Sequence, residues 1–225
     1  MWWDVASERR AEFENWHSHE HFPERLSIPG FLRGSRWRSS AGGEGFFVMY
    51  ELDVYVTLTS PHYLARLNNP TPWSAKMMPH HRNMVRSQCL VVETYGGGTA
   101  QCIATTRLSP KADHADALRG RLASTLADLV TVPGITGCHL LQTQTPRVAA
   151  TLEQRIRGAD QVADWILLIS GYDAQTVSDI HSTRLSAAML ATMGAEPKPL
   201  TEFYSLSFAI TSHDLGRGTA AAAPA

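Results

Sequence analysis

Apolar residues mark the chain out as two similar series of elements. Leu118, Leu122, Leu126 and Leu129 recur at three- to four-residue spacing, which predicts an amphipathic helix from His114 to Val130. Arg9 to Leu26 predicts the matching helix in the first half. After each helix an apolar residue, Pro-Gly and another apolar residue open a strand-like run: Ile28-Pro29-Gly30-Phe31, and Val132-Pro133-Gly134-Ile135. Gly45 to Leu52 and Asp164 to Tyr172 are short, β-branched and aromatic, and predict the next strands.

Each of these strands precedes a second helix. One starts at Ser60-Pro61, a serine cap before a first-turn proline. The other runs from Ala174 to Met193 and stops at Gly194. Val85 to Tyr95 and Glu202 to Thr211 predict closing strands, and Met1 to Ala6 and Ala100 to Ser109 predict opening ones. Each half therefore reads β-α-β-β-α-β, the split βαβ unit. The expected boundaries are 1–97 and 99–214, with a disordered tail at 215–225. Such sheets carry both helices on one face, so two copies can cover each other's bare face. The expected fold is α+β: duplicated ferredoxin-like units closing into a dimeric α+β barrel, either within one chain or with further dimerisation.

Composition changes this picture little. A 225-residue chain with 44% apolar and 18% charged residues can build a real core, and a net charge of −1 gives no general attraction to nucleic acid or anionic lipid. No apolar run is long enough for a membrane span, and the N-terminus lacks the pattern of a secretory signal. Cys89, Cys102 and Cys138 are odd in number and widely spaced, which suits reduced thiols in a cytoplasm.

The stretch Trp16 to Phe31, WHSHEHFPERLSIPGF, resembles the EthD-like proteins of the dimeric α+β barrel superfamily: a Trp-His start, a Glu-His pair three residues on, then Pro-Gly before the second strand. The resemblance implies a small-molecule cleft between sheet and helix. It also implies cofactor-independent chemistry, or haem in some branches, and a possible homodimer.

Aligning the halves on Pro-Gly sets Trp16 opposite Gly120, His17 opposite Arg121, Glu20 opposite Ser124 and His21 opposite Thr125. Packing demands are similar in the two halves, so the surplus of titratable groups in the first points to a site. On a helix, Phe13, Trp16, His17, Glu20, His21 and Glu24 fall within roughly 140° of arc. His17 and His21, four apart, can stack. Pro23 is expected to kink or end the helix, leaving His21 near a C-terminus whose partial charge, with Glu20 and Glu24, favours imidazolium. His21 is thus the expected proton carrier, assisted by His17 and Glu20, with a pH inflection near neutrality. His17-Ser18-His19-Glu20-His21 also spells an inverted zinc-protease motif, but Pro23 argues against the regular helix it needs. A solvated helix face is the plain alternative.

Leu67 to Arg86 is an insertion relative to the second half, expected to be an irregular binding loop. Trp16 and Trp73 would wall a pocket, His80 and His81 would hold an acidic group, and Arg36 and Tyr50 would join them if their strands turn them inward. No dinucleotide fingerprint, Walker loop or serine elbow is present, and Gly96-Gly97-Gly98 reads as the connection between repeats. The expected function is histidine acid–base chemistry, of lyase, isomerase or dehydratase type, on a small apolar or aromatic substrate without an organic cofactor. The alternatives are a haem- or divalent-metal-binding barrel and a non-catalytic ligand-binding protein.

Overall fold

The structure, a computed structural model, describes residues 1–43, 45–158 and 160–216. The tail expected to be disordered lies, from residue 217 on, outside the described residues. The first half runs β1 (Trp2–Asp4), α1 (Arg10–Trp16), a π-helical turn (His17–His21), α2 (Phe22–Leu26), β2 (Phe31–Ser39), β3 (Gly45–Leu52), α3 (Pro61–Asn68), α4 (Pro72–Met77), β4 (Arg82–Val85) and β5 (Cys89–Gly96). The second half runs β6 (Cys102–Leu108), α5 (Ala115–Leu129), β7 (Ile135–Thr143), α6 (Leu152–Arg157), β8 (Trp165–Gly171), α7 (Ala174–Ser182), α8 (Ala187–Met193) and β9 (Leu200–Thr211).

All strands join one nine-stranded sheet in the order β4-β1-β3-β2-β9-β6-β8-β7-β5. The order β4-β1-β3-β2 and the order β9-β6-β8-β7 are the same ferredoxin-like arrangement used twice. The closing strands fuse the copies. The first part of β9 pairs with β6, and the rest, from Tyr204 to Thr211, pairs with β2 of the other repeat. The closing strand of the first repeat does the same in two pieces: β4 pairs with β1 and β5 with β7. β4 and β5 stand at opposite ends of the sheet order yet are neighbours in sequence, so the sheet curls back on itself into a barrel.

Alternation then assigns the faces. Trp37, Phe47, Ile103, Ile166, Leu168 and Tyr204 pack together inside the barrel. Outside, Leu118, Leu122, Leu126 and Leu129 of α5 are wholly buried against β6, β7 and β8, as their spacing predicts. The helices of the first repeat cover β2 and β3 through Phe13, Trp16, Phe22, Phe46 and Val48. Ser60 caps α3 by accepting from Tyr63 N–H at 3.2 Å, also as expected.

Three expectations need correction. The strand expected over Val85 to Tyr95 is broken at Arg86–Gln88, where the chain leaves one repeat's sheet for the other's. The helix expected over Ala174 to Met193 is two helices, because Ser186 caps a new start by accepting from Met189 N–H. The insertion is not an irregular loop: Thr71 accepts from Ser74 N–H at 3.0 Å and starts α4, whose Met77 is fully buried.

Gly96 holds the seam where β5 meets β7. It has φ +70°, and a Cβ there would lie 2.2 Å from the Thr136 carbonyl oxygen. Gly96→Ala is expected to destabilise the protein by more than about 1 kcal/mol in urea unfolding. An unchanged midpoint would show that the seam is not tight.

Candidate functional site

The first helix of the chain does not end at Pro23. Residues 17–21 widen into a π-helical turn, in which Phe22 N–H donates to the His17 carbonyl, and α2 then continues through Pro23 to Leu26. Proline cannot donate and its ring crowds the preceding turn. The wider turn accommodates both. His21 is therefore inside a continuous helical run and not at a C-terminus, which removes the expected dipole contribution to its charge. Turns of this type recur at functional sites.

The turn brings His17 inward, 6.0 Å from the Trp3 ring of β1, and sets His21 beside it. Their rings stack at 5.4 Å, as their spacing predicts. Phe13 stacks on His17 at 5.2 Å, Phe22 lies 4.1 Å from it, and Trp16 lies 4.6 Å from His21. His81, brought in by the segment after α4, packs between Trp3 at 4.8 Å, Phe13 and Trp16. His17 is 1% exposed and Trp16 is fully buried. Nδ1 of His17, Nδ1 of His21, both ring nitrogens of His81 and the Tyr50 hydroxyl are shut from solvent without a hydrogen-bond partner. Buried polar groups are nearly always partnered, so such a concentration marks a place built for something other than stability.

Burial governs the charge of this group. It lowers the pKa of His17 and His21 well below the usual imidazole value, and that of His81 to about 3. Positive neighbours add to the effect: Arg36 for His17, and Arg25 for His21. Burial thus works against the near-neutral charge change expected from the sequence. Desolvation outweighs Glu24, whose Oε2 lies 3.7 Å from His21 Nδ1. Burial raises the pKa of Glu24 itself.

The other candidate residues sort clearly. Glu20 does not face His21. Its Oε1 accepts from Trp16 Nε1 at 3.2 Å, from the Thr71 hydroxyl and from Ser74 Oγ at 3.5 Å, so it ties the π-turn to α4. Arg36, which could have lain in solvent, is buried in the same helix–sheet layer. Its Nη1 donates to the Glu14 carbonyl at 3.2 Å, and its guanidinium lies 5.8 Å from the Phe13 ring and 5.7 Å from that of Phe208. Burial brings its pKa down to about 10, still cationic at neutral pH. Tyr50 enters the layer from β3 and packs on Phe22 at 5.3 Å; burial raises its pKa. Trp73 packs at the border. His80 takes no part in these ring contacts. Among the described residues no three His, Cys, Asp or Glu side chains converge as metal ligands would.

One part of the surroundings escaped the sequence reading. Arg25 on α2 is buried and pairs with Glu153 on α6, which also meets Arg157 at 3.5 Å. Arg157 pairs in turn with Asp160 at 3.1 Å. Nothing in local spacing links residue 25 to residue 153. A cavity of about 620 Å³ lies elsewhere, in the barrel, and of the candidate residues only Tyr50 borders it.

Cys89, Cys102 and Cys138 are free thiols, and among the described residues no helix is long and apolar enough to cross a membrane.

No protein-family model and no curated protein matches the chain. Solved structures do. An anthrone oxidase-like protein superposes with TM-score 0.67 at 12% identity, over 99% of this chain and 94% of its own. A proposed monooxygenase of Fusobacterium nucleatum gives TM-score 0.58 at 6% identity, over 93% and 91%. A proposed monooxygenase of Lactobacillus acidophilus gives 0.52 at 12%, over 94% and 93%. At such identities the likeness shows the fold: the duplicated ferredoxin-like α+β barrel read from the sequence. It does not single out the EthD-like branch.

The buried imidazoles make stability depend on pH. Below about pH 6.5 the unfolded chain takes up protons that the folded chain refuses. Stability is therefore full above that pH and lost as pH falls, at up to about 1.4 kcal/mol per pH unit for each imidazole. The urea midpoint is expected to be lower at pH 5 than at pH 7.5, and His81→Phe is expected to reduce the difference. Equal midpoints at the two pH values would contradict the burial.

Proposed function

We propose that the chain is an enzyme acting on a small aromatic substrate by proton abstraction, with His21 as the base. The observation that supports this reading most is the set of solvent-free, unpartnered imidazole nitrogens gathered by the π-turn. An imidazole kept neutral presents one bare nitrogen that can accept a proton, so His21 is read as a base and not as the near-neutral acid–base switch first expected. Glu24, 3.7 Å from His21 Nδ1, orients the ring and stabilises the imidazolium once it forms. His17 and Tyr50 position the substrate, and Arg36, cationic and half-surrounded by phenyl rings, stabilises the developing oxyanion. The stacked rings are covered by α4, which Glu20 and a Lys76–Glu12 ion pair hold down, so a substrate enters by displacing that helix.

The substrate class follows from the walls: a flat ring system carrying a C–H or O–H made acidic by a conjugated carbonyl. An anthrone is such a molecule, and the name of one structural neighbour favours it. Loss of its methylene proton leaves an anion delocalised onto oxygen. Reprotonation elsewhere is isomerisation, and loss of a β-substituent is elimination. Reaction with dioxygen converts the methylene to a carbonyl with release of water. The names of the neighbours favour the last outcome; the first step is common to all three, and no organic cofactor is required for it.

That step can be watched directly as deuterium entering the anthrone methylene from D₂O under anaerobic conditions. The protein is expected to accelerate exchange over buffer, and His21→Phe, which keeps the packing on Trp16, to lower the acceleration about a hundredfold. Undiminished exchange by the folded variant would rule out His21 as the base.

A further inference from the structure

The barrel holds a second place that the histidine layer does not use. Adjacent residues of β2 and β3 face opposite sides of the sheet: Arg36 and Tyr50 meet the helices, whereas Trp37, Phe47 and Met49 meet the barrel interior. The interior is not filled. It keeps a cavity of about 620 Å³, within the range that takes a drug-sized molecule. Its floor and walls are apolar, built by Trp37, Phe47, Met49, Leu141, Ile166 and Leu168.

Polar side chains border this space as well, among them Arg33, Glu51, Asp53, Arg86, Thr94 and His139. Arg33 is paired with Glu51 through two bonds of 2.8 Å and also donates to Thr99 at 2.8 Å. His139 on β7 lies 2.7 Å, Nδ1 to Oγ1, from Thr94. Its other nitrogen, Nε2, lies beside Gly137. A Cβ at position 137 would stand 2.9 Å from Nε2 and 2.8 Å from Ser170 Oγ. Glycine keeps that corner clear, so an imidazole nitrogen and a hydroxyl both border the cavity there. Burial keeps the His139 ring less basic than usual. The lining therefore combines an apolar wall with polar side chains and a hydrogen-bonding corner at His139 and Ser170.

The rim is apolar too. Leu32, Val54, Leu90 and Val91 border the cavity and are 45%, 53%, 38% and 61% exposed. Four large aliphatic side chains standing in water around one opening are costly unless something apolar passes over them.

We infer that the barrel interior is a binding site for one uncharged, mostly apolar ring compound bearing a hydroxyl or a carbonyl, which enters over the Leu32–Val54–Leu90–Val91 rim and hydrogen-bonds to His139. Arg33 and Glu51 satisfy each other, and the other charged groups bordering the cavity are engaged by neutral partners: Arg86 Nη2 donates to the Tyr63 hydroxyl at 2.9 Å, and Asp53 Oδ1 accepts from the Thr57 hydroxyl at 2.9 Å. Either tautomer of His139 serves: Nε2–H donates to a carbonyl, and a bare Nε2 accepts from a hydroxyl.

2-Naphthol is a suitable probe, with naphthalene as its counterpart lacking the hydroxyl. Calorimetric titration of the full chain with 2-naphthol is expected to give saturable one-to-one binding. His139→Leu is expected to weaken 2-naphthol about fivefold, by loss of one hydrogen bond, and to leave naphthalene unchanged. Met49→Trp, which fills the cavity, is expected to abolish both. With ¹³C-methyl methionine, bound 2-naphthol is expected to show NOEs to the Met49 methyl, a readout that needs no variant. NOEs to Met77 instead, which packs beneath the π-turn, would overturn the inference, as would the absence of saturable binding. His21→Phe is expected to leave 2-naphthol affinity unchanged, so a failure of the proton-abstraction reading and a failure of this one are told apart.

Discussion

Desolvation of imidazole is the constraint on which the site depends. Three histidine rings pack in a layer of tryptophan and phenylalanine, and four of their nitrogens are shut from water without a partner. Keeping such groups unpaired costs on the order of 1–3 kcal/mol each, more than an exposed salt bridge returns. The first repeat gathers these imidazoles in one layer, whereas among the described residues the second has a single such ring, His181, on α7. The corresponding layer of the second repeat is Leu118, Leu122, Leu126 and Leu129 on α5, with no polar group among them. Duplication supplies the comparison: one architecture, one copy optimised for packing and the other departing from it.

The barrel explains how that departure is tolerated. Each repeat lends its closing strand to the other, so β2 is held on both edges, by β3 and by β9. The layer rests on a sheet shared by both repeats, and the Arg25–Glu153 pair ties α2 to α6 of the other half.

Much of the fold was legible in the sequence because it is local. Period-four leucines wrote α5, and β-branched runs wrote β3 and β8. The Pro-Gly pairs marked the same turn twice. The π-turn was not legible: Pro23 argues locally for a helix end, and only packing of His17 and His21 against the sheet decides otherwise. The pKa direction failed for the same reason. The sequence shows Glu20 and Glu24 next to His21 but not the loss of water, and desolvation is the larger effect. Glu20, counted as a partner of His21, is claimed by Thr71 and Ser74 from an element fifty residues away. The layer containing Arg36, Tyr50 and His81 was reached by type of residue, not by geometry. The barrel cavity went unseen because His139, Met49 and Ser170 come from three strands whose inward face only the register reveals.

The central claim is that the imidazoles of the π-turn are neutral and shut from water. Nitrogen-15 NMR of the histidine side chains, followed from pH 8 to pH 4.5, reads this residue by residue. The account predicts that His17, His21 and His81 keep the shifts of neutral rings until the protein itself begins to unfold. Ordinary titration of His21 near pH 6.5 in the folded protein would contradict it.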